Sequence, residues 1–264
     1  MSKPRLHHTL FESRTLVEFA AATLTMPFLL KAPSGKRPVM VIPGFLASDA
    51  STLPLRKYLR LKGYRSYGWQ QGRNLGQHII PGATMIREDL LERVLALVEK
   101  EQQPIHLIGW SLGGILAREI ARLMPDMVAS VISLGSPFNS PEASSPMAAV
   151  LFKRVNQKRI GAEFEIPETM AVPPPVPCTS IYSRSDGITH WQGCHQHGEE
   201  RHVENIQVNG SHLGLGHHPT VLWLIAHRLA GNSELKSLQD WRPLDVSAAP
   251  RWLTGKISTQ HNHV

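Results

Sequence analysis

Pro104-Ile105-His106-Leu107-Ile108-Gly109-Trp110-Ser111-Leu112-Gly113 is the stretch from which the rest of the chain is read. Its first half, Ile105–Ile108, reads as a short buried strand, and Leu112–Leu123 reads as a helix. Between them lies a G-x-S-x-G pentapeptide, so Ser111 sits where a strand turns sharply into a helix. The pentapeptide alone is a weak signal because short patterns recur by chance; the flanking strand and helix give it weight. The two glycines have a steric reason. A sharp turn strains the serine, and a Cβ on either flanking position would strike the strand or the helix. Ser111 then projects at the carboxyl edge of a sheet, where the helix N-terminus favours developing negative charge.

Outward from this turn, short apolar runs alternate with amphipathic segments. Val39–Ile42, Tyr64–Tyr67, Met127–Leu134, Thr179–Tyr182 and Asn205–Val208 read as further strands. Leu53–Lys62, Ala83–Glu101 and Pro219–Leu229 read as helices, the second with Leu90, Leu91, Val94, Leu95 and Val98 along one face. Strands alternating with helices predict an α/β fold with a mostly parallel central sheet covered by helices. Residues 137–177 break the rhythm with Pro137, Pro141, Pro146, Pro167 and Pro173-Pro174-Pro175, around one helical segment near Ala148–Asn156. An irregular insertion of that length reads as a cap or lid over a site. Beyond Gly231 the pattern dissolves into polar residues with Trp241 and Trp252 isolated, a loosely packed tail. The whole chain, 1–264, reads as one domain, with an N-terminal helix and linker over 1–37.

That N-terminal segment predicts an amphipathic helix over 10–26, with Leu10, Phe11, Leu16, Val17 and Ala20 at helical spacing and Pro27 limiting it. It reads as a helix packed on the domain rather than a peripheral membrane anchor, since Lys and Arg do not line its polar face. Peripheral membrane contact stays open. Leu16–Leu30 is the most apolar stretch near the start. Glu18 and Pro27 interrupt it and no A-x-A-like site follows, so neither a signal peptide nor a spanning helix is expected. A cytoplasmic protein is the expectation.

Composition narrows the classes further. The 264 residues carry 28 Lys+Arg against 21 Asp+Glu, a net charge of +7 with histidine neutral. The basic residues are scattered and match no zinc-finger or aromatic-basic RNA motif, so nucleic acid is not an expected partner. Two cysteines, Cys178 and Cys194, are too few for a disulfide framework. They read as free thiols, although a bridge between them would brace the loop that lies in between.

A serine hydroxyl is a weak nucleophile at neutral pH and needs a base. Of fourteen histidines, the base belongs on a loop after a late strand. His212 follows the strand Asn205–Val208 and the turn Asn209-Gly210-Ser211; His217 and His218 are its rivals. His106, inside the strand before the turn, reads as a packed residue. The acid that orients the imidazole is sought between serine and histidine, and Asp186 lies there, after Thr179–Tyr182 and before Gly187. Asp126 stands at the wrong end of a strand, and Asp240 and Asp245 come after His212. Two backbone N–H groups are then needed for a developing oxyanion. Leu112 supplies one, and Phe45, in Val41-Ile42-Pro43-Gly44-Phe45-Leu46, supplies the other, with Leu46 as its alternative.

Pro43-Gly44-Phe45, Gly109-Trp110-Ser111-Leu112-Gly113, Asp186-Gly187 and Gly210-Ser211-His212, in that order, resemble bacterial α/β-hydrolases of the esterase and lipase kind over roughly residues 38–230. Pro43 stands where many such relatives carry a histidine. The resemblance implies the α/β-hydrolase fold and a carboxylester hydrolase with Ser111, Asp186 and His212 as its triad. The apolar cap residues Met147, Val150, Leu151 and Phe152 suggest a small-molecule ester with an apolar acyl or aromatic part. An acyltransferase, a cofactor-free oxidative enzyme or a non-catalytic ligand-binding member are the alternatives on the same fold. No cofactor is expected. Nor is a catalytic metal, because His195-Gln196-His197, His217-His218 and His261-Asn262-His263 lack a carboxylate or Cys at ligand spacing. Trp69, Asn74 and Gly76, on the loop from Gly68 to Gly76, rim the pocket or merely lie on the surface. The oligomeric state is not legible.

Overall fold

The apolar runs around Ser111 become the central strands of an open sheet. In the computed structural model the described residues are 6–79, 86–139, 146–160, 170–196, 202–233 and 257–260, with single positions at 4, 235, 242, 244 and 245. Strands β1 (Pro38–Ile42), β2 (Arg65–Gly68), β3 (Ile105–Trp110), β4 (Val128–Leu134), β5 (Cys178–Ser183) and β6 (Val203–Val208) are parallel, in the order β2-β1-β3-β4-β5-β6. β7 (Ile257–Gln260) adds an antiparallel strand beside β6, in a stretch where the sequence shows no strand pattern. Parallel strands need crossovers, and helices α3 (Leu53–Leu61), α4 (Glu88–Glu101), α5 (Leu112–Leu123) and α6 (Pro146–Ile160) lie in those crossovers, with α7 (Pro219–Ser233) after β6.

The pleat divides the core into two layers. In β1, Val39 and Val41 pack with Tyr58 and Leu59 of α3 and with Trp223, Leu224 and Leu229 of α7. Met40 and Ile42 face the other way, towards Leu90, Val94 and Leu97 of α4 and Ile115, Leu116 and Ile120 of α5. Each Val, Leu or Ile buried this way contributes roughly 1.5–3 kcal/mol. Both faces are apolar, so the strands read as continuous rather than alternating apolar runs.

Two helices differ from their sequence reading. The segment expected as helix from Ala83 begins only at Glu88; Arg87 is extended and Ile86 pairs with Ile79 in an isolated antiparallel bridge. Ala83 lies outside the described residues. The N-terminal segment is α1 (Leu6–Leu10), a 3-10 turn at Phe11–Arg14, and α2 (Thr15–Leu29). Pro27 does not stop it, because the last turn is caught by α3: Tyr58 Oη donates to Leu29 O at 3.2 Å and Lys62 Nζ to Leu30 O at 2.7 Å.

The larger correction concerns which side of this segment faces the domain. Leu10, Phe11, Leu16 and Val17, expected to pack inward, are 61–76% exposed, whereas Glu12 and Glu18 are buried with Ala22 and Leu29. The segment does pack on the domain, with Ala22 and Leu29 joining the core beside α7 and the two acids turned inward against other loops. Helical spacing identifies a stripe and not the direction in which it points. Among the described residues no helix is long and apolar enough to cross a membrane.

Candidate active site

The turn after β3 is as sharp as the pentapeptide requires. Ser111 sits at φ 54°, ψ −120°, half-buried, with its N–H donating to Leu134 O at 2.8 Å. A Cβ on Gly109 would come within 2.2 Å of Gly113 O, and one on Gly113 within 2.3 Å of Ile42 O. Backbone occupies both places. The residue types at these two positions are therefore dictated by how closely β3, α5 and the end of β1 approach one another. Gly44 lies over the serine: a Cβ there would sit 3.2 Å from Ser111 Cβ.

β5 and β6 run parallel in direct register, so the turns at their carboxyl ends meet. His212 Nδ1 and Asp186 Oδ2 are 2.6 Å apart, with both side chains almost wholly buried. Asp186 Oδ1 accepts N–H bonds from Ile188 at 2.8 Å and Thr189 at 2.7 Å, which aim the other oxygen at the imidazole. With an ionised Asp186 the donor is Nδ1–H, and Nε2 is left as the basic nitrogen. Burial, the largest single influence on His212, disfavours its cation. The charge of Asp186, its hydrogen bond and the charge of Glu12 together outweigh burial, so the imidazole is held above its ordinary value. Trp110 Nε1 donates to His212 O at 3.1 Å, tying the histidine loop to the serine turn.

The two candidate oxyanion donors at the β1 loop are told apart by the backbone. Leu46, at φ 64°, gives its N–H to Asn74 O at 2.6 Å and is spent. Asn74 Nδ2 in turn donates to Pro43 O at 2.7 Å, and Asn74 N–H to Ala47 O at 2.7 Å. The loop from Gly68 to Gly76 is thus a buttress beneath Pro43–Ala47, with Trp69 and Asn74 fully buried. Among the described residues nothing engages the N–H of Phe45. Leu112 N–H lies in the first turn of α5, where a helix has no internal acceptor to offer.

The rival residues have other partners. His106 is fully buried between Ser130 Oγ at 2.7 Å and Ser233 Oγ at 3.1 Å, and burial pushes it down to about 3. His217 Nε2 lies 3.1 Å from Thr15 O and edge-on to Phe19. His218 Nδ1 accepts the Thr220 N–H. Asp126 is on a 3-10 turn at the start of β4, at the opposite edge of the sheet. Asp240, His197, His261 and His263 lie outside the described residues, as do 140–145 and 161–169 of the expected cap.

Sequence reading missed the acids that hold the histidine loop. Glu12 Oε1 accepts N–H bonds from Gly187 at 2.8 Å and His212 at 2.9 Å, and its Oε2 accepts one from Leu213 at 2.9 Å. Glu18 accepts the N–H of Ser211 at 2.8 Å and the Ser211 hydroxyl. Arg14 pairs with Glu18 at 3.3 Å and donates to Ser185 O at 2.9 Å. The N-terminal segment comes so close that a Cβ on Gly187 would meet His8 O at 2.4 Å. The one local hint was an acid, Glu18, set inside the apolar stretch 16–30, and it names no partner.

With this geometry in hand the family is decided by a match over residues 37–173, just over half of the chain, to the family model described as alpha/beta hydrolase fold. The chain belongs to the α/β-hydrolase fold family. The match spans the serine turn and stops short of Asp186 and His212; it also begins after Glu12 and Glu18. No curated protein matches the chain in sequence. Among solved structures, a thermophilic esterase from Thermogutta terrifontis is 17% identical with a TM-score of 0.51, covering 76% of this chain and 92% of its own. An α/β hydrolase from a lagoon-sediment metagenome of Mar Chica, Morocco, is 14% identical with a TM-score of 0.51, over 77% and 94%. A pyrethroid hydrolase is 16% identical with a TM-score of 0.50, over 76% and 100%. At these identities the likeness is one of fold.

In this α/β hydrolase the segment between β4 and β5 meets the β1 loop through aromatic rings: Phe152 of α6 packs on Phe45 with centroids 5.3 Å apart. The far end of this segment is pinned from α5, whose buried Arg118 donates to the carbonyls of Met170 at 3.2 Å and Val172 at 3.1 Å. Cys178 and Cys194 are both free and buried, and burial pushes both thiols up. The Asp186 loop is braced by carboxylates and not by a disulfide.

Proposed function

We propose that this chain hydrolyses carboxylic esters with an apolar acyl or aromatic part through a covalent acyl-enzyme. The observation that carries the reading is the pair His212–Asp186, buried and 2.6 Å apart, on a loop bonded through Trp110 Nε1 to the turn of a strained, half-buried serine at a helix N-terminus. Ser111 is the nucleophile, and His212 Nε2 takes its proton as Oγ attacks the ester carbonyl. Asp186 holds the tautomer and stabilises the imidazolium. The N–H groups of Leu112 and Phe45 receive the oxyanion. The tetrahedral intermediate collapses as His212 returns the proton to the leaving alcohol, and water repeats the sequence on the acyl group. Phe45 and Phe152 supply an apolar wall beside the oxyanion loop, which favours an acyl or aryl group over a charged one.

Turnover of a p-nitrophenyl ester series, acetyl to palmitoyl, by wild type and Ser111→Ala tests this. The wild type turns over, with an optimum that sizes the apolar wall, while the variant loses roughly 10⁴-fold or more. A wild type silent across the series, or a variant that matches it, overturns the reading.

A further inference from the structure

We infer that Glu12 is a positioning residue for the histidine base: a second buried carboxylate that clasps the Asp186 turn to the His212 turn from an N-terminal segment outside the sheet. The inference rests on the triad reading above, though its test does not require turnover.

The geometry is that of a staple. One carboxylate takes three backbone N–H groups, one from the residue after Asp186, one from His212 itself and one from Leu213. The two turns it joins come from different strands, β5 and β6. Each charge-assisted N–H bond to a carboxylate is roughly twice as strong as a neutral one. Glu12 is 6% exposed, so little water screens its charge from the imidazole. That charge is one of the influences that favour the His212 cation. The base is thus flanked by anions on two sides, Asp186 at Nδ1 and Glu12 at its own backbone.

Among the described residues, the other titratable groups around these turns include Glu18, Arg14, His217, His218, His8 and His190. Glu18 and Arg14 act one residue away, at Ser211 and Ser185. His217 faces Thr15 and Phe19, and His218 binds the Thr220 N–H. His8 and His190 lie beside the Asp186 turn. Among the described residues Glu12 is thus the one carboxylate from outside the two turns that accepts hydrogen bonds from both.

The test is an NMR titration of the His212 ring in the full chain, with the Nδ1–H shared with Asp186 as reporter, in wild type, Glu12→Gln and Glu12→Asp. Glu12→Gln moves the His212 titration to lower pH by on the order of half a unit or more, and amide exchange at Gly187, His212 and Leu213 speeds up. Glu12→Asp keeps the charge but shortens the reach, so it restores most of the titration while those amides stay fast. Where esters are turned over, the acidic limb of kcat/KM shifts with the ring. An unchanged His212 titration in Glu12→Gln overturns the inference, even if the rate falls, and loss of folding in both variants does so too by making Glu12 a stability element. A shifted ring in a chain that cleaves no ester would leave the positioning intact and refute the hydrolase reading alone.

Discussion

The turn that carries Ser111 is shaped by close backbone, Gly109 against Gly113 four residues on and Gly113 against Ile42 at the end of β1. The turn that carries His212 is shaped by Glu12 and Glu18, which reach it from 193 to 201 residues away. The first is a steric construction: backbone fills the space where a side chain would go, and glycine is the only solution. The second is an electrostatic one, in which backbone N–H groups that point away from any strand or helix partner find carboxylates on another segment. Sterics of this kind leave a local motif. Carboxylate-to-backbone bonds leave none, because any residue has an N–H to offer.

The contrast is open to measurement. The largest effect belongs to the serine turn. Gly113→Ala puts a Cβ 2.3 Å from Ile42 O, and neither backbone can yield without parting β1 from α5. Chemical denaturation of this variant should show a loss of about 3 kcal/mol or more. A loss below about 1 kcal/mol would mean that the turn is softer than its geometry, and the steric half of the contrast would fall.

The histidine turn should respond in another currency. Glu18→Gln keeps the shape and removes the charge from the Ser211 bonds, so about 1–3 kcal/mol of stability goes with it. On the proposed ester reaction kcat should drop while KM is little changed, because the apolar wall is untouched. An equal rise in KM would show that the N-terminal segment shapes the substrate pocket instead.

The smallest effect concerns β3, the strand that delivers the serine turn. His106 is buried with its pKa down at about 3, so the folded chain keeps it neutral while an unfolded chain protonates it near the ordinary value of about 6.5. A depressed histidine favours the folded state above the unfolded value and loses that advantage as pH falls. Between pH 7 and pH 5 the loss from this one group is about 2 kcal/mol. Comparing urea midpoints of wild type and a His106→Gln chain at the two pH values checks it. An equal fall in both would assign the acid sensitivity to other groups.

Much of the core was legible because burial on both faces of a parallel sheet demands near-continuous apolar runs, as in Val39–Ile42 and, interrupted only by the buried His106, Ile105–Ile108. The start of α4 moved by five residues, from Ala83 to Glu88, because Arg87 is extended and Ile86 pairs with Ile79 in a bridge that no helical spacing announces. The N-terminal segment was misread for a definite reason. Periodicity found the stripe of Leu10, Phe11, Leu16 and Val17, but the segment is held by its buried acids, and the apolar stripe is the face left exposed. The Leu46 alternative was likewise beyond the sequence. Only the bond to Asn74 O shows that its N–H is occupied.

By itself the sequence determined the α/β order of elements, the place of Ser111 and the residue types its turn tolerates, since those follow from local period and from what a Cβ would strike. Only the tertiary structure decided that Asp186 meets His212, that Leu46 is spent, and that Glu12 and Glu18 turn inward. Those depend on which strands become neighbours and on where an unpaired backbone N–H finds its acceptor, and no spacing along the chain encodes either.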